Sequence, residues 1–380
     1  MVPPMSLLGS TLFGGEAGPY SWIMQALFFA FIFVWMFYGQ RMQVAMWNRA
    51  IEGSLRKLGY MKEHARTTTI KTVKEQGKPE GDPTARVDQF LERFFIQPVD
   101  MDPAGIVPKF DHLLDIRDTS MKEEVRRIAP KADESKVNNL ENLVEAAMDL
   151  NLLYRIVRHY YLYAKRTHSY IITAQLQMIL PQIMDVAQAY NGAIQAFSKG
   201  QPVGDGAGPL LVNKLMRNTE FKRVEKDMVM AETSLEGRKV TVLKAEGPGG
   251  NVGKPGDALK TIIDTHTEPF SLVIMVDAAL KLEGENTGDV SEGIGAAIGG
   301  VGTERFKIEE VATERKIPVF AVIVKQSIKD AIAPMKKEIY TGVDKALERV
   351  KRIIKENTKE GSSVLIAGIG NTIGVGQKAS

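Results

Sequence analysis

The pattern of polar and apolar positions breaks first at Tyr20 to Tyr38, YSWIMQALFFAFIFVWMFY, which holds one Gln and no charge. A run of this length approaches the ~20 residues that a helix needs to cross bilayer hydrocarbon. Trp22, Trp35 and Tyr38 lie near its ends, where amphipathic rings favour the membrane interface. Before the run only Glu16 is charged, whereas Arg41, Arg49, Arg56 and Lys57 follow it. That asymmetry puts the following chain on the cytoplasmic side. A cleaved signal peptide would need a basic flank ahead of the apolar run, and there is none. The expectation is therefore an extracytoplasmic segment over 1–19 and a single membrane-spanning helix over 20–39, with the body in the cytoplasm.

Residues 40–200 read as a helical domain. Met42 to Met61 continues the anchor as an amphipathic helix, and the polar stretch Thr67 to Arg86 reads as a mobile loop. A helix follows over Val87 to Phe95. The next segment carries Pro98, Pro103 and Pro108, so only tertiary contacts can order it. Short helices are expected over Met121 to Ile128 and from Asn138. The longest helical periodicity runs from Leu140 to Phe197, with Leu143, Ala147, Leu150, Leu153, Val157, Tyr160 and Tyr161 on the apolar spacing. Pro181 should kink or split it near Leu180. Its other faces carry Arg155, Arg158, His159, Lys165, Arg166 and His168. A basic, Tyr-rich helix invites a nucleic-acid or lipid-headgroup reading, but a solvated face of a packed helix outweighs both. Long helices beneath an anchor also suggest a homo-oligomer.

At SKGQPVGDGAGP (Ser198 to Pro209) the pattern changes to strand–helix alternation, which opens an α/β domain over 201–380. Strands are expected at Lys239–Ala245, Leu272–Ala279, Pro318–Val324 and Ser363–Gly370. Helices are expected at Asp257–Thr265, Ile308–Arg315 and Met335–Asn357, and another starting at Pro209. These strands are continuous apolar runs, as in a parallel sheet covered on both faces. The fold class is α/β: a doubly wound, mostly parallel sheet behind one transmembrane helix and an all-helical middle region. Sites in such sheets lie beyond the carboxyl ends of the strands. Asp277, Gly249, Gly250, Gly368, Gly370 and Asn371 all fall there.

Charged residues make up 25% of the chain at a net charge of +3, which suggests neither a nucleic-acid binder nor a disordered chain. The absence of cysteine removes disulfides, thiolate metal sites and thiol nucleophiles. GPGGNVGKP fails as a phosphate loop, because Pro248 stands where the first glycine belongs and Pro255 follows Lys254. Ser234 and Ser327 have no histidine nearby in sequence, so a serine triad has no support.

Two carboxylates remain, Asp205 and Asp277. Facing one cavity, they would repel, raise one pKa and share a proton able to activate water. Alternatively they could hold a divalent metal, with backbone carbonyls or Glu285 completing an oxygen-rich site. The plainer readings are that Asp205 caps its helix and that Asp277 satisfies N–H groups of the adjacent loop.

DGAGPLLV (Asp205 to Val212), GIGN (Gly368 to Asn371) and the pair Asp277-Ala278 together resemble motifs of the superfamily holding the hydrogenase-maturation endopeptidases and the bacterial spore germination protease. The loop GIGAAIGGVGTER and the following strand also resemble those of the germination protease. The resemblance covers roughly the last 180 residues and implies a phosphorylase/hydrolase-like fold of the maturation-protease type. It further implies catalytic Asp205 and Asp277, and a protein substrate contacted near Gly204, Gly208 and the glycines named above. The order departs from that family, whose first strand precedes the acidic loop; here it would be supplied by 362–376, inserted beside the strand carrying Asp277 as in a circular permutation, or donated by a neighbouring subunit. That family's histidine ligand has no counterpart, since no histidine follows His266. The whole chain also resembles an archaeal family with one N-terminal anchor, which implies no activity. A membrane-anchored hydrolase and a non-catalytic anchored scaffold both fit.

Overall fold

The computed structural model describes residues 21–93, 106–217, 219–299 and 302–377. The expected extracytoplasmic segment and Tyr20 lie outside them, as does the proline-bearing stretch from 94 to 105. Contacts divide the chain into two units, one of Met1–Arg56 with Val157–Pro181 and one of Lys57–Ile156 with Gln182–Ser380.

The helical half contains α1 (Ser21–Thr72), α2 (Thr84–Leu91), α3 (Ile106–Ile128), α4 (Glu134–Thr167) and α5 (Tyr170–Lys199). Among the described residues no single helix is long and apolar enough to cross a membrane. The pair Trp22–Met36 and Tyr38–Gly77, bent by 42°, reaches that length and composition together. Trp22, Phe28, Phe29, Phe31, Phe33 and Trp35 are all exposed along it.

Two expectations fail here for physical reasons. The loop expected over Thr67 to Arg86 is largely helical: α1 runs to Thr72 and ends in a π-helical turn, Val73–Gly77. Its order comes from one local bond and from contacts with more distant residues. Thr72 Oγ1 donates to Thr68 O at 2.8 Å, and the Arg66 guanidinium forks onto Asp88 at 2.5 and 2.8 Å. The long periodic run does break, but at His168 (φ +52°) rather than at Pro181, which sits inside α5. Ser169 supplies the new start, its hydroxyl accepting from Ile172 N at 3.3 Å as an N-cap does. Buried Leu176 and Leu180 hold the helix across Pro181.

The second half contains α6 (Ala207–Leu215), β1 (Phe221–Glu225), β2 (Met228–Leu235), β3 (Arg238–Ala245), α7 (Pro255–Thr265), β4 (Phe270–Leu280), β5 (Val290–Ile294), α8 (Thr303–Glu314), β6 (Val319–Gln326), α9 (Ile328–Ile332), α10 (Lys337–Asn357) and β7 (Ser363–Gly368). The strands form one sheet in the order β1-β2-β3-β7-β4-β6-β5. β3, β7, β4 and β6 pair in parallel, while β1, β2 and β5 pair antiparallel at the edges. The sheet is therefore mixed, and its three antiparallel strands, β2 and the edge strands β1 and β5, escaped the sequence reading. β1 is charged and mostly exposed, and β5 crosses the glycine-rich loop, so neither shows an apolar run. β2 and β3 meet at Glu236-Gly237, both at positive φ, a two-residue hairpin turn.

Successive residues of the central strands face opposite cores. Ile274 and Val276 pack with Leu211 and Val212 of α6 and with Val343 and Val350 of α10. Val273 and Met275 pack with Leu259 and Ile262 of α7 and with Ile308 and Val311 of α8. Helices on both faces explain why these strands are apolar throughout. The last strand of the chain lies in the middle of this sheet, beside the strand that carries Asp277.

Candidate functional site

Glycines bring the two acidic residues together. α6 begins directly over the carboxyl ends of β4 and β7. A Cβ on Gly208 would stand 2.3 Å from Val276 O and 2.4 Å from Ile369 O, and one on Gly368 would stand 2.4 Å from Gly208 O. Gly370 takes φ +127°, and its Cβ would meet Asp205 O at 2.0 Å. Gly204 lies similarly close to Asp330 O, at 2.2 Å. No larger residue fits these contacts without displacing backbone. The result is that the Gly204–Gly206 turn, the start of α6 and the turn after β7 pack main chain on main chain.

Asp205 does not cap α6. Its Oδ2 accepts from Asn371 N at 2.8 Å, so the first acidic loop is bonded to the turn at the far end of the chain. Asp277 ends the buried part of β4 and is 5% exposed. It accepts from Ala278 N at 2.7 Å and from Gly299 N at 3.3 Å, which is the loop-tying role its plainer reading foresaw.

Burial raises the pKa of both carboxyls. At Asp205 desolvation pushes it up, partly offset by the Asn371 N–H. Part of the residue's surface remains exposed even so. Asp277 is pushed up to about 8, first by burial and then by the charge of Asp205, against the two N–H groups it accepts. Both carboxyls are raised and Asp277 feels the charge of Asp205, so the two titrate as a coupled pair that keeps a proton to higher pH than free aspartates do.

The other expected residues divide. Gly249 and Gly250 pack on Ser135, Asn138 and Asn142 of α4. Gly250 N donates to Asn139 Oδ1 at 2.8 Å, and Asn142 Nδ2 donates to Gly250 O at 2.9 Å. Asn371 Nδ2 donates to Asn142 Oδ1 at 2.7 Å, so this loop joins the Asp205 turn through one side chain. Glu285 is not brought to the pair: its carboxylate is taken by Lys325 and by Leu282 N. Among the described residues no group of three or more His, Asp or Glu forms a metal-binding cluster. A cavity of about 640 Å³ lies beside the Gly374–Gly376 tail, lined by Lys214, Arg217, Lys336 and Lys337 but by neither aspartate.

Several polar residues escaped sequence reasoning. Asn138, Asn139 and Asn142 cluster in one helical turn, where asparagine is unfavourable, and that clustering was the available signal. Thr372 Oγ1 bonds Gly249 O at 2.7 Å, closing the same network. Lys244 stands in an otherwise apolar strand and is fully buried; its amine reaches only Ala245 O, at 3.0 Å, and burial pulls its pKa down to about 8. Gln326, 1% exposed, has no hydrogen-bond partner for its amide and lies against Gly204.

These features define a class: a helical N-terminal half joined to an α/β half that carries a buried carboxylate pair at the carboxyl edge of its parallel strands. Residues 25–200 match the model described as the N-terminal domain of the DUF1512 protein of unknown function. Residues 203–376 match the DUF1512 C-terminal domain of unknown function. The chain belongs to the DUF1512 family, and the boundary between its two domains falls at the glycine-rich turn before α6. No curated protein and no solved structure matches it.

Proposed function

We propose that this protein is a membrane-anchored hydrolase of the endopeptidase type, acting on a protein substrate through Asp205 and Asp277. The single observation that carries the reading is that two acids 72 positions apart (277 − 205) meet at one strand edge, with Asp277 raised to about 8 partly by Asp205. One carboxylate and one carboxylic acid at neutral pH are what general acid–base hydrolysis requires. Asp205 takes a proton from an attacking water while Asp277 protonates the substrate's carbonyl oxygen. The scissile C–N bond of the resulting gem-diol then breaks: the proton held by Asp205 passes to the leaving amine, and one gem-diol hydroxyl returns its proton to Asp277 as the carboxylic acid product forms. The unpartnered amide of Gln326 beside Gly204 offers a polar contact for substrate at the same edge. The likeness of DGAGPLLV, GIGN and Asp277-Ala278 to the hydrogenase-maturation and spore-germination proteases points the same way. If a divalent metal takes part, the two aspartates, with backbone carbonyls, are the groups among the described residues that would hold it. The apolar run before Tyr38 and the arginines after it support single-pass anchoring in the cell membrane with the body in the cytoplasm, and the long helices support a homo-oligomer.

A second reading has its own observation. Both oxygens of Asp277 already accept backbone N–H groups, as they would in a scaffold that uses the acid to tie its loop. One experiment separates the two: new protein N-termini in membranes incubated with wild type and with the Asp205→Asn, Asp277→Asn double variant. Products seen only with wild type establish a peptidase and name its substrate, and their loss on chelation adds the metal. Identical profiles from equally folded proteins refute the peptidase and leave the scaffold.

A further inference from the structure

Within the unit formed by Met1–Arg56 and Val157–Pro181, the turn between α4 and α5 is held against α1 just beyond its apolar run. Tyr170 packs against Trp47 with ring centroids 5.3 Å apart and the planes tilted by 43°, and it donates to Gln43 Oε1 at 3.4 Å. Below it, Tyr161 bonds Glu52, and Lys165 reaches the same carboxylate at 3.7 Å. At 1.5 Å per residue, Gln43 and Trp47 lie at most about 8 and 14 Å along the helix from Tyr38. The headgroup layer on each side of a bilayer is about 5–8 Å thick, and an anionic surface acts over a Debye length of about 8–10 Å. The turn is thus placed where a membrane surface would begin.

Its composition fits that surface. From Val157 to Pro181 there is no Asp or Glu, while Arg158, Lys165 and Arg166 are present with His159 and His168. Apolar and aromatic side chains beside the turn and along the two helix ends that flank it are exposed rather than packed: Ile171 at 67% at the turn, Tyr160, Leu162 and Tyr163 in the last turns of α4, and Met178 at 76% further along α5. An aqueous face has no reason to carry so much apolar surface, and two copies of a face this basic repel one another. Lysine, arginine and tyrosine interleaved with aliphatics match an anionic lipid interface, where rings and stems sit among headgroups and the cations meet phosphates.

We infer that the α4–α5 turn is a second membrane contact, lying on the anionic headgroups of the leaflet from which α1 emerges. The inference rests on the anchoring part of the proposed function and is independent of the aspartates. It makes the hairpin a brace that fixes the unit of Met1–Arg56 and Val157–Pro181 against the bilayer.

The cysteine-free chain permits a direct test with the full-length protein. Single-cysteine variants Phe28→Cys and Ile171→Cys are spin-labelled and reconstituted into phosphatidylcholine vesicles, with or without phosphatidylglycerol. Oxygen and an aqueous nickel chelate then report label depth. The expected result is a label at 28 in the hydrocarbon in both vesicles. The label at 171 is expected at headgroup depth only with phosphatidylglycerol, returning to water when Arg158, Lys165 and Arg166 are all changed to Gln. A label at 171 open to the chelate in anionic vesicles, while 28 lies in lipid, overturns the brace and leaves the anchor standing. A label at 171 shielded from both reagents overturns it in favour of a second copy or another protein on that face. A label at 28 in water removes the anchor, and the brace with it.

Discussion

Asp277 should make the protein less stable as pH rises. An ordinary aspartate titrates at 3.8, and in the folded protein Asp277 is pushed up to about 8. Between those values the unfolded chain has released a proton that the folded chain still holds. Stability therefore falls with increasing pH across that window, by about 1.4 kcal/mol per pH unit for a fully separated pair of titrations. From pH 5 to pH 7 this amounts to roughly 2–3 kcal/mol, a large part of the 5–15 kcal/mol typical of a domain. Asp277→Asn abolishes the titration while keeping the shape and one acceptor. The N–H of Gly299 or Ala278 that it leaves unbonded costs about 1 kcal/mol at every pH, so it shifts the curve without tilting it. The assay is urea unfolding of wild type and variant in one detergent at pH 5, 6, 7 and 8. The difference in unfolding free energy should swing toward the variant by about 2–3 kcal/mol between pH 5 and 7. In Asp205→Asn the slope should persist, since burial is the first cause of the shift, but its upper limit should move to lower pH. A wild-type–variant difference that stays constant within a few tenths of a kcal/mol over pH 5–8 would refute the claim that Asp277 is protonated in the fold.

Gly208→Ala drives a methyl into Val276 O and Ile369 O at 2.3 and 2.4 Å. It should cost about 3 kcal/mol, read as a lower urea midpoint at unchanged slope, with loss of amide protection at Asn371. Lys244→Met removes a buried amine whose pKa is depressed from 10.5 to about 8. In wild type this amine makes stability rise with pH between about 8 and 10.5, since only there does the folded state hold fewer protons. The methionine variant should lack that rise and be more stable at pH 7 by about 2–3 kcal/mol, measured by the same melts; a destabilised variant would point to a use for the amine that packing does not explain.

The central strands were legible because burial on both faces forces an unbroken apolar run, as in LVIMV of β4 or VLIA of β7. Edge strands β1 and β5 have no such constraint, and their residues read as charge and glycine. Helical periodicity likewise marked α4 and α5, but the position of their break came from a single left-handed residue, His168, backed by the Ser169 cap. Pro181, the stronger local signal, was overridden by buried neighbours. The polar tail of α1 looked like a loop because its order comes from Asp88 and Ala129, residues remote in sequence.

By itself the sequence determined the strand–helix alternation after Ser198, the absence of thiol chemistry, the apolar run at Tyr20–Tyr38 and the two acids worth following. That β7, the last strand, inserts beside the strand carrying Asp277 was expected from its likeness to a family-first strand and is observed within the same chain; tertiary structure alone decided that β3 flanks its other side and that Asn371 N bonds Asp205. It alone decided that Glu285 turns to Lys325 and that Asn142 ties α4 to the same turn. The physical reason is the same in each case. Backbone propensity and burial act over a few residues and leave a periodic trace, whereas these contacts join segments more than a hundred positions apart or set one charge against another. They leave no trace in any window of the chain, and only the packed sheet and its glycine contacts bring them within bonding distance.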